Sequence, residues 1–507
     1  MINASIHIAY FAPVLLLTVW ALGLLLAEAL IPLTARHTAW IALIGLGLTG
    51  LFTLAFDASS VSFWGDLCKW DGAAKFFNLF FVATAILVIW MGDEIQEPFS
   101  HGGGEFVVLP LFTTIGLMLL AMANDFTLFF VSLELVTISF YILVAYQRRS
   151  PVAIEAGIKY LILGGLSSAF LVMGIAYIYG LTGTTRFDLM EQFMPAYLQV
   201  YRTGIAFGLL LVLVGIGFKI AMVPFHIWAP DVYEGAPNSI TAFLSVGSKA
   251  GGFIILMRVV LGIFGGVAGS HIWLPVLSVA AMLSLVLGNL AAIPQRNLKR
   301  LLGYSSIGHT GFILVAVIGA VQLAPSEARP PIMDLKTGQV AVSIYLVTYL
   351  LATFTAFIVL AVLNRRLPGL EIHHLAGLSQ RSPLLAAAFA LSFISLAGIP
   401  PLSGFIAKFM VILVAWNRGF YTLLGFAIFA AVAALYYYLG PVKAMYWSEP
   451  LDETPIRINL PTTIVLSILI VLLIGTGFWA QSYSIFVNDS NLAQASLHAA
   501  GSFVCKQ

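Results

Sequence analysis

Four ionisable residues, Glu134, Lys219, Lys249 and Lys408, each fall inside a stretch apolar enough to cross a bilayer. A charged side chain at mid-bilayer costs at least ~2.5–3.5 kcal/mol, so such residues are rare and need a function or a partner. The chemistry open to these four is proton exchange. A lysine in low dielectric gives up its proton more readily and a nearby carboxylate opposes that, so a change in the partner's charge makes the amine take up or release a proton. If the helices carrying these groups pack side by side, the groups form a line parallel to the membrane plane, which suits a relay better than a simple pore. For Glu134 and Lys219 a second reading stays open, a structural ion pair fastening two helices. Lys249 and Lys408 lack obvious local partners. Lys249 lies in the small-residue run Ser245-Val246-Gly247-Ser248-Lys249-Ala250-Gly251-Gly252, which permits close helix approach or water access.

Other candidates carry two readings each. Lys159 follows Glu155 by four residues, so an interfacial helix pair and a role in proton uptake both fit. His309 lies in the polar strip Tyr304-Ser305-Ser306-Ile307-Gly308-His309-Thr310, as a packing histidine or a relay group. His226, beside a helix break, is a gate or a plain loop histidine. His373 and His374 lack the spaced partners of a metal site, and Arg258, nine residues after Lys249, is expected to snorkel toward the membrane edge.

The elements that must position these groups follow from composition. Hydrophobic residues make up 60% of the 507 positions and charged residues 9%, with a mean hydropathy of +1.00; ordinary soluble domains carry about 25% charged residues. A net charge of +2 and the lack of basic, aromatic-rich polar stretches exclude nucleic acid as a partner. Cys68 and Cys505 stand far apart, so neither an iron–sulfur cluster, a zinc site nor a disulfide framework is indicated. No nucleotide-binding fingerprint is present. The first apolar run lacks a basic leader and reads as a retained span.

A hydrocarbon core of about 30 Å needs roughly 20 apolar residues. That ruler predicts an all-α membrane protein with about fourteen spans, at 8–31, 38–57, 75–92, 105–122, 126–146, 156–180, 203–229, 238–264, 271–293, 300–321, 339–363, 384–416, 419–440 and 461–485. Lys and Arg lean modestly toward the loops holding Arg36, Arg148, Arg149, Arg296, Lys299, Arg300, Arg365, Arg366, Arg381, Lys443 and Arg457, which puts both termini outside the cytoplasm. The seventh span should break near Pro224 and the twelfth at Gly398-Ile399-Pro400-Pro401. Irregular backbone at membrane depth survives only where protein or a watery cavity satisfies it. Paired breaks at matching places in two halves point to inverted repeats. The chain is thus expected to form one polytopic domain over 1–507, with peripheral helices at 1–92, two inverted five-helix sets at 105–264 and 271–447, and a last helix and tail at 460–507.

The run Lys219-Ile220-Ala221-Met222-Val223-Pro224-Phe225-His226-Ile227-Trp228-Ala229-Pro230-Asp231-Val232-Tyr233-Glu234-Gly235-Ala236-Pro237, followed by Thr241-Ala242-Phe243-Leu244-Ser245 and Lys249, resembles subunit N of the proton-pumping NADH:quinone oxidoreductases, respiratory complex I. The stretch from Leu298 to Phe312, and Gly398-Ile399-Pro400-Pro401-Leu402-Ser403-Gly404-Phe405 with Lys408, fit the same family. The likeness spans roughly residues 105–447. Val232-Tyr233-Glu234-Gly235-Ala236-Pro237 and the lysine at 408 resemble subunit N rather than subunit M, and the short tail after Val487 lacks the lateral helix of subunit L.

The resemblance implies an antiporter-like fold of fourteen helices in which Glu134 and Lys219 form the pair modulating one half-channel. It makes Lys249 the central carrier and Lys408 the exit-side carrier, with Lys159, His226, Lys299, Tyr304 and His309 along water-lined proton paths. It implies no cofactor in this chain: FMN, iron–sulfur clusters, NADH and quinone would belong to partner subunits. Its partners would be other antiporter-like and small membrane subunits and, through them, the peripheral redox arm, in the bacterial cytoplasmic (inner) membrane. Two other readings stay open, a subunit of a multi-subunit sodium/proton antiporter and a purely structural membrane spacer.

Overall fold

A computed structural model describes residues 9–31, 33–94, 103–321, 338–367, 369–450, 452 and 454–478. Both chain ends, on which the terminus orientation rests, and Cys505 lie outside the described residues. The helices are α1 (Ala12–Leu30), α2 (Ala35–Ala55), α3 (Gly72–Glu94), α4 (Gly103–Met122), α5 (Phe126–Val144), α6 (Pro151–Thr182), α7 (Phe187–Lys219) and α8 (Trp228–Gly235). They continue as α9 (Asn238–Ile263), α10 (Val267–Ala292), α11 (Leu298–Gly319), α12 (Gly338–Asn364), α13 (Pro383–Ala397), α14 (Ser403–Asn417), α15 (Tyr421–Trp447) and α16 (Leu460–Phe478). An antiparallel hairpin of β1 (Val61–Phe63) and β2 (Cys68–Trp70) precedes α3.

Thirteen of these helices, among the described residues, are long and apolar enough to cross a membrane, and α13 and α14 are shorter apolar helices that share the twelfth stretch. The outer surface shows which solvent they meet. Ile154, Ile158, Leu161, Ile162 and Leu166 stand exposed along α6, a continuous apolar face that belongs in lipid rather than water. Of their apolar windows, α9 and α11 bury 94% but α1, α6 and α16 only 28%. The former make the centre of the bundle and the latter its rim.

Helix ends are fixed where their backbone groups would otherwise be unsatisfied. The Asp125 carboxylate accepts from Thr127 N at 2.6 Å ahead of α5. Ser150 caps α6 with Pro151 behind it, and Gly183, at φ +70°, ends that helix. Asn297 accepts from Lys299 N and Arg300 N at the start of α11. Glycines let the long helices touch: a Cβ on Gly174 of α6 would lie 2.6 Å from the Gly208 carbonyl of α7, so the two backbones pack directly.

Two expectations need correcting. The seventh helix begins at Phe187 rather than 203, bends at Tyr201 (φ −118°, ψ 26°) and stops at Lys219, before Pro224. Arg258 does not snorkel. It is buried and donates to both Asp71 oxygens at 3.0 and 3.1 Å and to the Ala121 carbonyl at 2.6 and 3.0 Å. The physical reason is that α3 begins beside it. Asp71 accepts from Ala74 N at 2.8 Å and offers a carboxylate inside the bundle, so the guanidinium need not reach water.

Candidate functional site

The end of α7 decides where Lys219 sits. Ala221 takes φ +54°, a conformation costing an L-residue roughly 1–2 kcal/mol, and the helical ladder stops. The freed backbone groups are taken up by neighbours. Thr310 of α11 donates to the Ile220 carbonyl at 2.6 Å, the Trp228 indole of α8 to the Phe218 carbonyl at 2.9 Å, and Val223 N donates to Ser284 of α10 at 3.0 Å. Lys219 is the last residue of α7, where the helix dipole favours a cation. Its Nζ donates to the Thr137 hydroxyl of α5.

Glu134 lies one turn before Thr137 and accepts from the Ser168 hydroxyl of α6 at 2.5 Å. It lies within electrostatic reach of Lys219, but among the described residues the two form no ion pair. The expected direct pair is therefore replaced by a coupled arrangement in which each charge has its own hydroxyl, because Thr137 meets the amine and Ser168 the carboxylate.

Lys249 is positioned by an irregular helix. The π-helical turn Leu244–Ser248 immediately precedes it, a feature that widens a helix locally and recurs at functional sites. Its Nζ donates to the Ser306 carbonyl at 2.6 Å and to the Ser306 hydroxyl, which Tyr233 also meets at 2.8 Å. The Tyr349 ring lies 5.5 Å away. Gly252, one turn on, lets α9 reach the end of α7: a Cβ there would stand 3.5 Å from Lys219 Cβ.

His309 continues the strip on α11, one turn beyond Ser306. Its Nδ1 is 2.7 Å from the Tyr345 hydroxyl and its Nε2 3.1 Å from the Tyr438 hydroxyl. Between His309 and Lys408 lies a cavity offering about 10 Å³ to a water's centre, bordered by Tyr345, Tyr349 and Ser395; that is room for about one water.

Lys408 reaches back from α14 to donate to the Ala397 carbonyl at 2.8 Å, at the end of α13. A helix C-terminus leaves such carbonyls without an intrahelical donor and favours a cation. Gly398, at φ +83°, turns the chain there, and a Cβ would press Lys408 Cδ at 2.7 Å. Pro400 and Pro401 follow in the non-helical link, as Pro224 does in the link after α7.

The remaining candidates fall into two groups. At the surface, Lys159 meets Glu155 at 2.7 Å and Asp231 at 2.6 Å, and Arg300 meets Asp231 at 2.7 Å and Glu234 at 2.8 Å. Partial burial pushes the Asp231 carboxyl up, but the hydrogen bonds from Lys159 and Arg300 outweigh it and hold the group below the usual carboxylate range. Next to this cluster Lys299 is buried and donates to the Ala236 carbonyl at 2.5 Å, at the inner wall of a cavity of about 280 Å³ that includes Glu234, Asn238 and Asn297. His226 sits at the α7–α8 link with its Nδ1 buried and without a hydrogen bond. Tyr304 is half-buried near the start of α11. His373 lies 3.3 Å from Glu371, so this loop does set a carboxylate beside a histidine. No group of three His, Cys, Asp or Glu among the described residues is placed to hold a metal.

The structure thus brings Lys219, Lys249, His309 and Lys408 into one buried strip, with Glu134 at one end. Lys159 and Lys299 stand apart, toward one surface. Sequence reasoning missed Thr137, Ser168, Tyr345, Tyr349 and Tyr438. Ser306 had a signal in the polar strip, but the tyrosines sit in apolar helices and had none.

Fold and site together define a polytopic helical membrane protein organised around buried, hydrogen-bonded amines at two helix interruptions. Residues 123–434 match the profile of the NADH:quinone oxidoreductase/Mrp antiporter transmembrane family. The NADH-quinone oxidoreductase subunit N of Desulfitobacterium hafniense is 36% identical over 99% of both chains. A chain of respiratory complex I from Thermus thermophilus with bound aureothin superposes with a TM-score of 0.77 and 30% identity, over 93% of this chain and 98% of that one. A chain of the Mrp complex from Dietzia sp. DQ12-45-1b matches with a TM-score of 0.77 over 96% and 99% of the two chains at 22% identity, a likeness of fold alone. This chain belongs to the NADH:quinone oxidoreductase/Mrp antiporter family and, within it, to the subunit N group.

Proposed function

We propose that this chain is a proton-translocating, antiporter-like membrane subunit of an NADH:quinone oxidoreductase. In this reading NADH oxidation and quinone reduction take place on the FMN and iron–sulfur clusters of partner subunits, and this chain has no redox step of its own. The observation that carries the reading is the burial of three amines: Lys219, Lys249 and Lys408 are 4%, 2% and 5% exposed, and each donates to a hydroxyl or carbonyl oxygen. An intramembrane charge held without a carboxylate partner is a standing cost of at least ~2.5–3.5 kcal/mol, which a packing role does not explain.

The proton path runs from Lys219 through Lys249 and His309 to Lys408. Glu134 biases its first member. As a carboxylate it attracts positive charge at Lys219, and once protonated it no longer does, so a change at Glu134 shifts the charge of the first amine. Thr137, Ser306 and the tyrosine hydroxyls both donate and accept, which lets them hold a migrating proton's hydrogen bonds on either side. The polar cavity at Lys299 and the Lys159–Asp231–Arg300 cluster mark the side from which water reaches the strip. By the Lys/Arg bias, both termini lie on the periplasmic side of a bacterial inner membrane.

The test is NADH-driven acidification of vesicles carrying the assembled complex, with electron transfer measured in parallel. Glu134→Gln should lower the protons moved per NADH oxidised while the complex assembles normally. Unchanged pumping in that variant counts against the relay, and pumping that requires sodium would favour the sodium/proton antiporter reading.

A further inference from the structure

Between α5 and α6 lies a hydroxyl that the buried strip does not use. The Tyr141 Oη is buried and makes no hydrogen bond among the described residues. It sits against α6 where Gly164 has no side chain: a Cβ there would lie 2.1 Å from the oxygen. Outside this seam Ile138, Ile142 and Leu161 stand exposed on the apolar rim, and lipid offers no hydrogen-bonding partner. On the inner side the Tyr141 ring meets Tyr160 at 5.2 Å, and Tyr160 meets Phe218 at 5.9 Å and Trp228 at 4.8 Å; packed apolar rings of this kind stay dry. A phenol held there without a partner calls for a reason, since phenylalanine fills the same space without one.

Position along the seam gives the hydroxyl a use. The two helices run antiparallel: Gly157 of α6 meets Ala145 of α5, Gly164 meets Tyr141, and Ser168 donates to Glu134. Tyr141 therefore lies between the surface ion cluster at Lys159 and the Glu134 carboxylate. Gly164 precedes Ser168 by four residues, about 6 Å of helix, a step that one water spans with two hydrogen bonds. A phenol hydroxyl both accepts and donates. We propose that Tyr141 passes protons to Glu134. Its oxygen accepts a proton from the side of the surface cluster while its own proton moves through water to the Ser168 hydroxyl, whose proton goes to Glu134 Oε1. Each hydroxyl ends with one proton and the carboxylate becomes neutral. The inference rests on the relay reading and adds how the group that biases Lys219 is loaded.

The test follows Glu134 itself, in the assembled complex in vesicles. Infrared difference spectra after a pH jump show the protonated-carboxyl band of Glu134, identified by its loss in Glu134→Gln. Tyr141→Phe keeps the ring and removes only the unpartnered hydroxyl, so the complex assembles, while the band should rise about a hundredfold more slowly and fewer protons move per NADH oxidised. Gly164→Ala, whose Cβ displaces the hydroxyl from the other helix, shows the same delay with the phenol still present. Ile142→Val, on the lipid side of the seam, keeps the parent's rate. A residue that only packs leaves the rate of Glu134 protonation alone. The parent's rate in assembled Tyr141→Phe, or in Gly164→Ala should Tyr141→Phe fail to assemble, therefore overturns the proposal. Normal pumping in Glu134→Gln would instead sink the relay reading itself, so the two failures are told apart.

Discussion

Replacing Lys249 by methionine separates a carrier from a fastener, because the two roles predict stability effects of different size. Methionine keeps the unbranched length and removes the charge. Relief from an intramembrane cation contributes at least ~2.5–3.5 kcal/mol in favour of the variant. Against this stands the loss of the hydrogen bonds to Ser306, about 1.5–3 kcal/mol for a charged donor. The acceptors are not left bare. The Ser306 hydroxyl keeps Tyr233 at 2.8 Å, and the Ser306 carbonyl lies in the interior of α11, within its backbone ladder. The two contributions nearly cancel, so Lys249→Met should lie within about 1 kcal/mol of the parent, while proton pumping falls to background. Denaturant unfolding in mixed micelles reads the first quantity, and a pH-sensitive dye in vesicles, alongside NADH oxidation, reads the second. Normal pumping in a stably assembled variant would refute the relay. A loss of about 3 kcal/mol or more would refute the energetic argument and make Lys249 a structural tie, since breaking a buried pair costs about that much.

Arg258→Met supplies the contrast: it strands the buried Asp71 carboxylate and should destabilise the chain by about 3–5 kcal/mol, and Arg258→Met/Asp71→Leu should recover much of that in the same unfolding assay. Gly252→Val places a methyl where a Cβ already stands 2.5 Å from Ile220. It should cost about 1–3 kcal/mol and depress pumping by displacing Lys219, whereas Gly23→Ala, which meets nothing within 4 Å, should be neutral or slightly stabilising. Asp231 titrates below its unfolded value of about 3.9, so its contribution to stability is full above that pH and is lost as the pH falls through the folded value. Asp231→Asn should therefore flatten this acid limb of a stability–pH profile and leave the neutral region less stable than the parent's; a profile that keeps its acid limb would count against the cluster.

Much of the fold could be read along the chain. A span is a local property, about 20 apolar residues between caps, so α1 to α6 and α9 to α12 lie close to where hydropathy placed them. Pro400 and Pro401 marked a link because proline cannot continue a helix. The seventh helix starts earlier than hydropathy placed it and stops before its proline: Ala221 turns the chain three residues ahead of Pro224, and Thr310, Ser284 and Trp228 from other elements take up the freed backbone groups.

By itself the sequence determined that the chain belongs in a bilayer and that Glu134, Lys219, Lys249 and Lys408 are charges kept at a cost. Composition and depth are sums over neighbouring residues, and no packing is needed to evaluate them. Tertiary structure alone decided the partners. Whether Lys219 meets Glu134 or Thr137, whether Arg258 finds water or Asp71, and which tyrosines flank His309 depend on how helices rotate and cross. Tyr438 reaches His309 from 129 positions away in the chain, and a hydrogen bond is directional and short. No spacing within one segment encodes such a contact.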